Sequence, residues 1–172
     1  MFSQLSCLIL QAGYHVITTA SKHNHDYLTS LGASKNFDYH DSDVVEQIKK
    51  EGKIQVIYDA ISENGSIEKC MQVLQPHGGK MVAVLPVNAT VPDNVKVYQC
   101  FGGSVHKTSV ALGKWLFNDF LKEALIQETI VTAPPVKVAK GGLRGVPDAL
   151  AMQKKGVSAT KIIIHPCEDG CT

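Results

Sequence analysis

Residues 13–21, GYHVITTAS, followed at once by Lys22, His23 and Asn24, decide how the chain folds. Gly13 opens a turn, and the apolar, β-branched run behind it ends in small hydroxyl residues and a basic pair. The run reads as a buried parallel strand over 14–20 that delivers a polar, partly basic loop to the carboxyl edge of a sheet. A helix near 24–31 follows, with Tyr27, Leu28 and Leu31 facing inward and Gly32 as its stop; a short strand spans 35–39. Asp43 and Glu46 have capping-box spacing ahead of a helix whose buried stripe is Val44, Val45 and Ile48.

The same alternation continues downstream. QVIYDA (55–60) is a buried strand, and Ile67, Cys70, Met71 and Leu74 mark one helical face. KMVAVL (80–85) is the next strand, cut by Pro86, and 95–101 is another. A long helix over 109–127 presents Leu112, Leu116, Phe117, Phe120, Leu121, Ala124 and Leu125 as a broad core face. Trp115 projects from its charged side, equally readable as a contact anchor or as cover for a loop. Pro147 and Gly156 bracket a last helix, and 161–165 closes as a strand. Residues 1–12 read as a short helix through Leu5, Leu8, Ile9 and Ala12, or as a strand over 7–10. Strands alternating with helices specify an open, mostly parallel α/β sheet with helices on both faces.

Composition bounds the rest. The chain has 172 residues, 44% of them hydrophobic, and a formal charge of +1, which fits one globular domain and calls for neither nucleic acid nor an anionic membrane. No apolar stretch approaches spanning length. Five scattered cysteines make no disulfide framework and fit a reducing, cytoplasmic setting. His165, Cys167 and Cys171 could be drawn as metal ligands, but one short tract supplies too few, and no metal is expected.

In a doubly wound dinucleotide fold, the second strand ends at the adenosine ribose. An Asp or Glu there binds a free 2′-hydroxyl, whereas a neutral or basic residue admits a 2′-phosphate. Thr19, Ala20, Ser21 and Lys22 contain no acid, so the stretch leans toward NADPH over NADH.

AGYHVITTASKHNHDYLTSLGASKNFDYHD (12–41), VIYDAIS (56–62), LQPHGGKMVAVLP (74–86) and GGLRGVPDALAMQKKGVSATKIIIHP (141–166) occur in this order. Together they resemble the cofactor half of a medium-chain dehydrogenase/reductase, in particular the trans-acting enoyl reductases that partner fungal polyketide synthases. The resemblance implies a Rossmann-like sheet and one truncated dinucleotide-binding domain over 1–172, with 133–172 as the family's C-terminal return segment. It implies that Ser21, Lys22, His23 and Asn24 surround the NADPH 2′-phosphate and that Tyr39 lies against the adenine. Leu85 and Pro86 would line the nicotinamide-ribose path, with Val157 and Ser158 near the nicotinamide end.

The family's GroES-like catalytic domain has no counterpart in this sequence. Nor has its first Rossmann strand, with the Gly-rich turn on which a pyrophosphate rests. Without that central strand, 14–20 and 55–60 are expected to pair directly, to recruit 5–10 as a strand, or to be covered in a homodimer, which is the favoured solution.

The implied function is an NADPH-dependent enoyl reductase, or a component of one, acting on an α,β-unsaturated polyketide with a polyketide synthase as partner. Independent reductase activity is doubtful with two positioning elements missing. The alternatives are a redox-neutral cyclase, isomerase or dehydratase on the same scaffold, and a non-catalytic paralogue. His23, His25, Tyr39, Asp59, His77 and His106 are candidate acid–base groups, none in a motif that assigns it a catalytic role.

Overall fold

The computed structural model describes residues 13–167. Strands and helices alternate through these residues and every strand pair is parallel, the α/β, Rossmann-like class that the alternation predicts. β1 (Ile17–Thr19) pairs with β2 (Lys35–Phe37). β3 (Val56–Asp59), β4 (Gly79–Ala83) and β5 (Val95–Gln99) form a three-stranded sheet in that order. β6 (Val136–Ala139) pairs with β7 (Lys161–Ile164).

Residues 14–20, 55–60 and 80–85, expected in one sheet, are divided between two. β3 and β4 are neighbours, but among the described residues β1 pairs with β2 and with no other strand, and the direct pairing of β1 with β3 does not occur. The reason lies in strand length. β1 has three residues and could form only a few new hydrogen bonds, each contributing about 1 kcal/mol net. That is too little to draw half of the fold sideways. The helix or strand expected within 1–12 lies outside the described residues.

The best-packed region is the middle sheet. Ile67, Met71 and Leu74 recur along one face of α3 (Ser66–Leu74) and meet Met81, Ala83 and Val95 of β4 and β5; Leu74 and Met81 are completely buried. Gly79 makes this approach possible. Its φ is +157°, and a Cβ there would come within 2.8 Å of the Gln55 carbonyl and 2.9 Å of the Leu74 side chain. Further buried apolar residues accompany β1 and β2. α1 (His25–Ser30) and α2 (Val44–Lys49) contribute Leu28 and Val44, with Leu31, Ala33 and Phe37 buried beside them. Asp43 does not close the expected capping box; it accepts from the Gln47 side-chain amide at 2.8 Å instead.

A short α4 (Ser104–Lys107) precedes the long helix expected over 109–127, which is helical throughout 110–126 but changes its winding: α5 (Val110–Lys114) passes directly into a π-helical segment, Trp115–Phe120, and then into α6 (Leu121–Ile126). Wider winding rotates each later side chain off its 3.6-residue position. Of the expected core face only Ala124 is buried, while Leu112, Phe117 and Leu125 are exposed. The Trp115 ring stacks on Phe120, five residues on, with centroids 4.8 Å apart, the spacing that a π turn brings together. The last helix, α7 (Val146–Lys154), begins with Pro147 in its first turn, as predicted.

Candidate nucleotide site

β1 and β2 are in register, with Thr19 opposite Phe37, so the residues after each strand emerge side by side at one edge. The Ala20 N–H continues the ladder by donating to the Phe37 carbonyl at 2.9 Å. Beyond it, Lys22–Asn24 forms a single 3₁₀ turn. Small hydroxyl and amide residues favour such a turn over continued strand because their side chains bond locally.

Several expected site residues meet at this edge. The Ser21 hydroxyl donates to the Tyr39 hydroxyl at 3.1 Å. The His23 Nε2 and the Asn24 amide both lie 2.9 Å from the Ser158 hydroxyl, which ties the loop before β7 to the loop after β1. The Tyr39 ring packs on His40 with centroids 4.0 Å apart, and its carbonyl accepts from Lys69 of α3 at 2.9 Å. Lys22 is exposed, and its ammonium makes no ion pair among the described residues.

Leu85 and Pro86 follow β4 and are exposed; no hydrogen bond among the described residues joins them to the Ser21 cluster. Val157 is exposed beside Ser158. Ser158 stands with His23 and Asn24, although the resemblance assigned these three to opposite ends of an extended dinucleotide.

The candidate acid–base groups are not gathered. His25 is bonded to the Ala20 carbonyl at 3.0 Å, while His77 and His106 are exposed elsewhere. Asp59 is buried with its carboxylate fully engaged. It accepts from the Ile61 and Ser62 N–H groups at 3.0 Å each and from the Ser66 hydroxyl at 2.7 Å. Ser62 in turn donates to the Asp59 carbonyl and accepts from the Val84 N–H, both at 3.0 Å. The network shapes the loop after β3. Burial, with the Asp59 charge nearby, pushes the Cys70 thiol up to about 12, which leaves it unreactive.

One residue of the site was missed. Asp38, directly after β2, accepts from the Lys22 N–H at 3.3 Å and, through its other oxygen, from the His40 N–H at 3.0 Å and the His40 ring at 2.7 Å. These His40 bonds hold its carboxyl below the ordinary carboxylate range. The signal was present, since residues just past the ends of neighbouring parallel strands share an edge, whichever strand carries them.

Among the described residues no three His, Cys, Asp or Glu side chains gather to hold a metal ion, and no helix is long and apolar enough to cross a membrane.

The family model described as zinc-binding dehydrogenase matches residues 6–126. The zinc-binding alcohol dehydrogenase domain-containing protein cipB of Emericella nidulans is 34% identical over 156 residues, covering 89% of this chain and 49% of its own length. The trans-enoyl reductase himH of Aspergillus japonicus is 30% identical over 162 residues, covering 92% of this chain and 47% of its own. The chain thus spans about half the length of the curated relatives it matches. Among solved structures, CurA of Vibrio vulnificus in complex with NADPH superimposes with a TM-score of 0.66 at 15% identity, covering 95% of this chain and 52% of that one.

Proposed function

The chain belongs to the zinc-binding dehydrogenase family, and from that we propose that it binds NADPH as an enoyl reductase, or a component of one, acting on an α,β-unsaturated polyketide. The observation that carries the nucleotide reading is a pair of side-chain contacts flanking exposed Lys22 in the chain, Ser21 with Tyr39 on one side and His23 and Asn24 with Ser158 on the other. A 2′-phosphate needs a cation and several hydrogen-bond donors held in place, and these side chains fit it. Their mutual bonds limit the rotamer freedom that would be lost on binding.

On this reading Lys22 supplies the charge, the Ser21 hydroxyl and the Asn24 amide turn from Tyr39 and Ser158 to donate to the phosphate, and Tyr39 offers a ring face to the adenine. Leu85, Pro86 and Val157 would exclude water along the nicotinamide-ribose path. The nicotinamide, when bound, supplies the hydride. The described residues do not fit a zinc ion, and no step is assigned to one. Support for the substrate class comes from himH, named a trans-enoyl reductase, and support for the cofactor from the NADPH bound to CurA. A polyketide synthase is the partner such an activity calls for.

Calorimetric titration of the purified chain with NADPH and NADH tests the cofactor assignment. NADPH is expected to bind more tightly, and Lys22→Ala to weaken it about tenfold while changing NADH little. Equal affinities, or an NADPH affinity untouched by Lys22→Ala, would remove the role given to the loop.

A further inference from the structure

We propose that Asp38 sets how strongly this site prefers a 2′-phosphate over a free 2′-hydroxyl, an inference that rests on the nucleotide reading above. The loop after β1 carries no acid, and that absence alone argues for the phosphate. The neighbouring strand supplies one. Asp38 leaves β2 at the same edge, and its Oδ2 lies 3.3 Å from the Lys22 N–H, one residue from the Ser21 hydroxyl.

Two consequences follow from that position. The Lys22 N–H is already given to a carboxylate, so it is not free for a phosphate oxygen. The carboxylate also places a negative charge against the loop that would receive a dianion. Its charge is only partly masked, since His40 bonds the other oxygen from its N–H and its ring, and no lysine or arginine pairs with Asp38 among the described residues. A carboxylate in this place repels a 2′-phosphate and accepts a hydrogen bond from a 2′-hydroxyl. Asp38 therefore tempers the preference that Lys22 creates, and the site discriminates by the balance of the two charges.

The test uses the whole chain and probes only the adenosine end: calorimetric affinities for adenosine 2′,5′-bisphosphate and for adenosine 5′-monophosphate, expressed as their ratio. Asp38→Asn is expected to raise the ratio in favour of the bisphosphate about three- to tenfold, the effect of removing one charge several ångströms from a dianion. His40→Ala, which strips the masking ring but leaves the backbone bond, is expected to lower the ratio about twofold. Opposite signs in the two variants are not what loss of packing gives, and the His40 variant decides the matter if Asp38→Asn fails to fold. Both affinities falling together in Asp38→Asn, or ratios equal to the parent's, would reduce Asp38 to a loop brace while leaving the nucleotide reading standing. A parent chain that binds neither probe overturns the nucleotide reading and this proposal together.

Discussion

At the level of single residues, the carboxyl edge of the middle sheet depends on Asp59. Its carboxylate accepts three hydrogen bonds in a buried position, and through Ser62 it is linked to the backbone of Val84. Asp59→Ala leaves those donors without partners, so unfolding followed by circular dichroism should show a loss of roughly 2–4 kcal/mol. A melting curve equal to the parent's would show that the donors find water instead. Cys70 gives a second prediction. With its thiol at about 12, only about one part in ten thousand is thiolate at pH 8, so timed alkylation with intact-mass readout should spare it while exposed Cys100 and Cys167 react. Modification of Cys70 at the rate of those two would contradict its burial. The polar, partly basic loop through Ser21, Lys22, His23 and Asn24 was legible because it follows the end of an apolar run, whereas Tyr39 was set beside it only by the family resemblance. Asp38 was not legible, because the acid was sought on the strand where a single-chain motif puts it, and spatial neighbours across a parallel pair are eighteen residues apart in this fold (Thr19 opposite Phe37).

Among the elements, the strands were the easiest to read. Apolar β-branched runs bounded by Gly and Pro located β1, β3, β4 and β5, and the 3- and 4-residue spacing of Ile67, Met71 and Leu74 located α3 and its buried face. The segment over 104–126 was read least well, because a 3.6-residue period was assumed through Trp115–Phe120, where the winding is wider. Close helix contact constrains that segment too. Gly113 is buried with the Val105 backbone against it, and an added Cβ would sit 2.9 Å from the Val105 carbonyl. Gly113→Ala should therefore destabilise the chain by about 1–3 kcal/mol despite its better helix propensity, measurable as a lower denaturant midpoint. A raised midpoint would mean that α4 and α5 part without cost.

For the whole molecule, the division into separate parallel sheets was not legible, because strand order depends on hydrogen-bond partners that no local pattern specifies. β1 and β3 each have one strand neighbour and one edge that pairs with no other strand among the described residues. Open edges pair with other chains, so sedimentation equilibrium across micromolar concentrations should show reversible association, and a monomer throughout would show that the edges are covered within the chain.

The same division bears on how the molecule opens. Three sheets without shared ladder bonds have no reason to come apart as one. β3, β4, β5 and α3 hold the completely buried Leu74 and Met81 and form one cooperative unit. β6 and β7 leave Val136 and Val138 exposed and form another, weaker one. In native-state hydrogen exchange the amides of β4 should be the last to take up deuterium, and those of β6 and β7 should exchange earlier through partial opening. The loop after β1 lies between these regimes, since Ser158 holds it to the approach of β7, while Lys69 holds the neighbouring end of β2 to α3. Each opening of the weaker unit therefore releases the Ser158 tie while the bonds from Ser21 to Tyr39 and from the Lys22 N–H to Asp38 remain, and the loop's own amides should exchange earlier than those of β4.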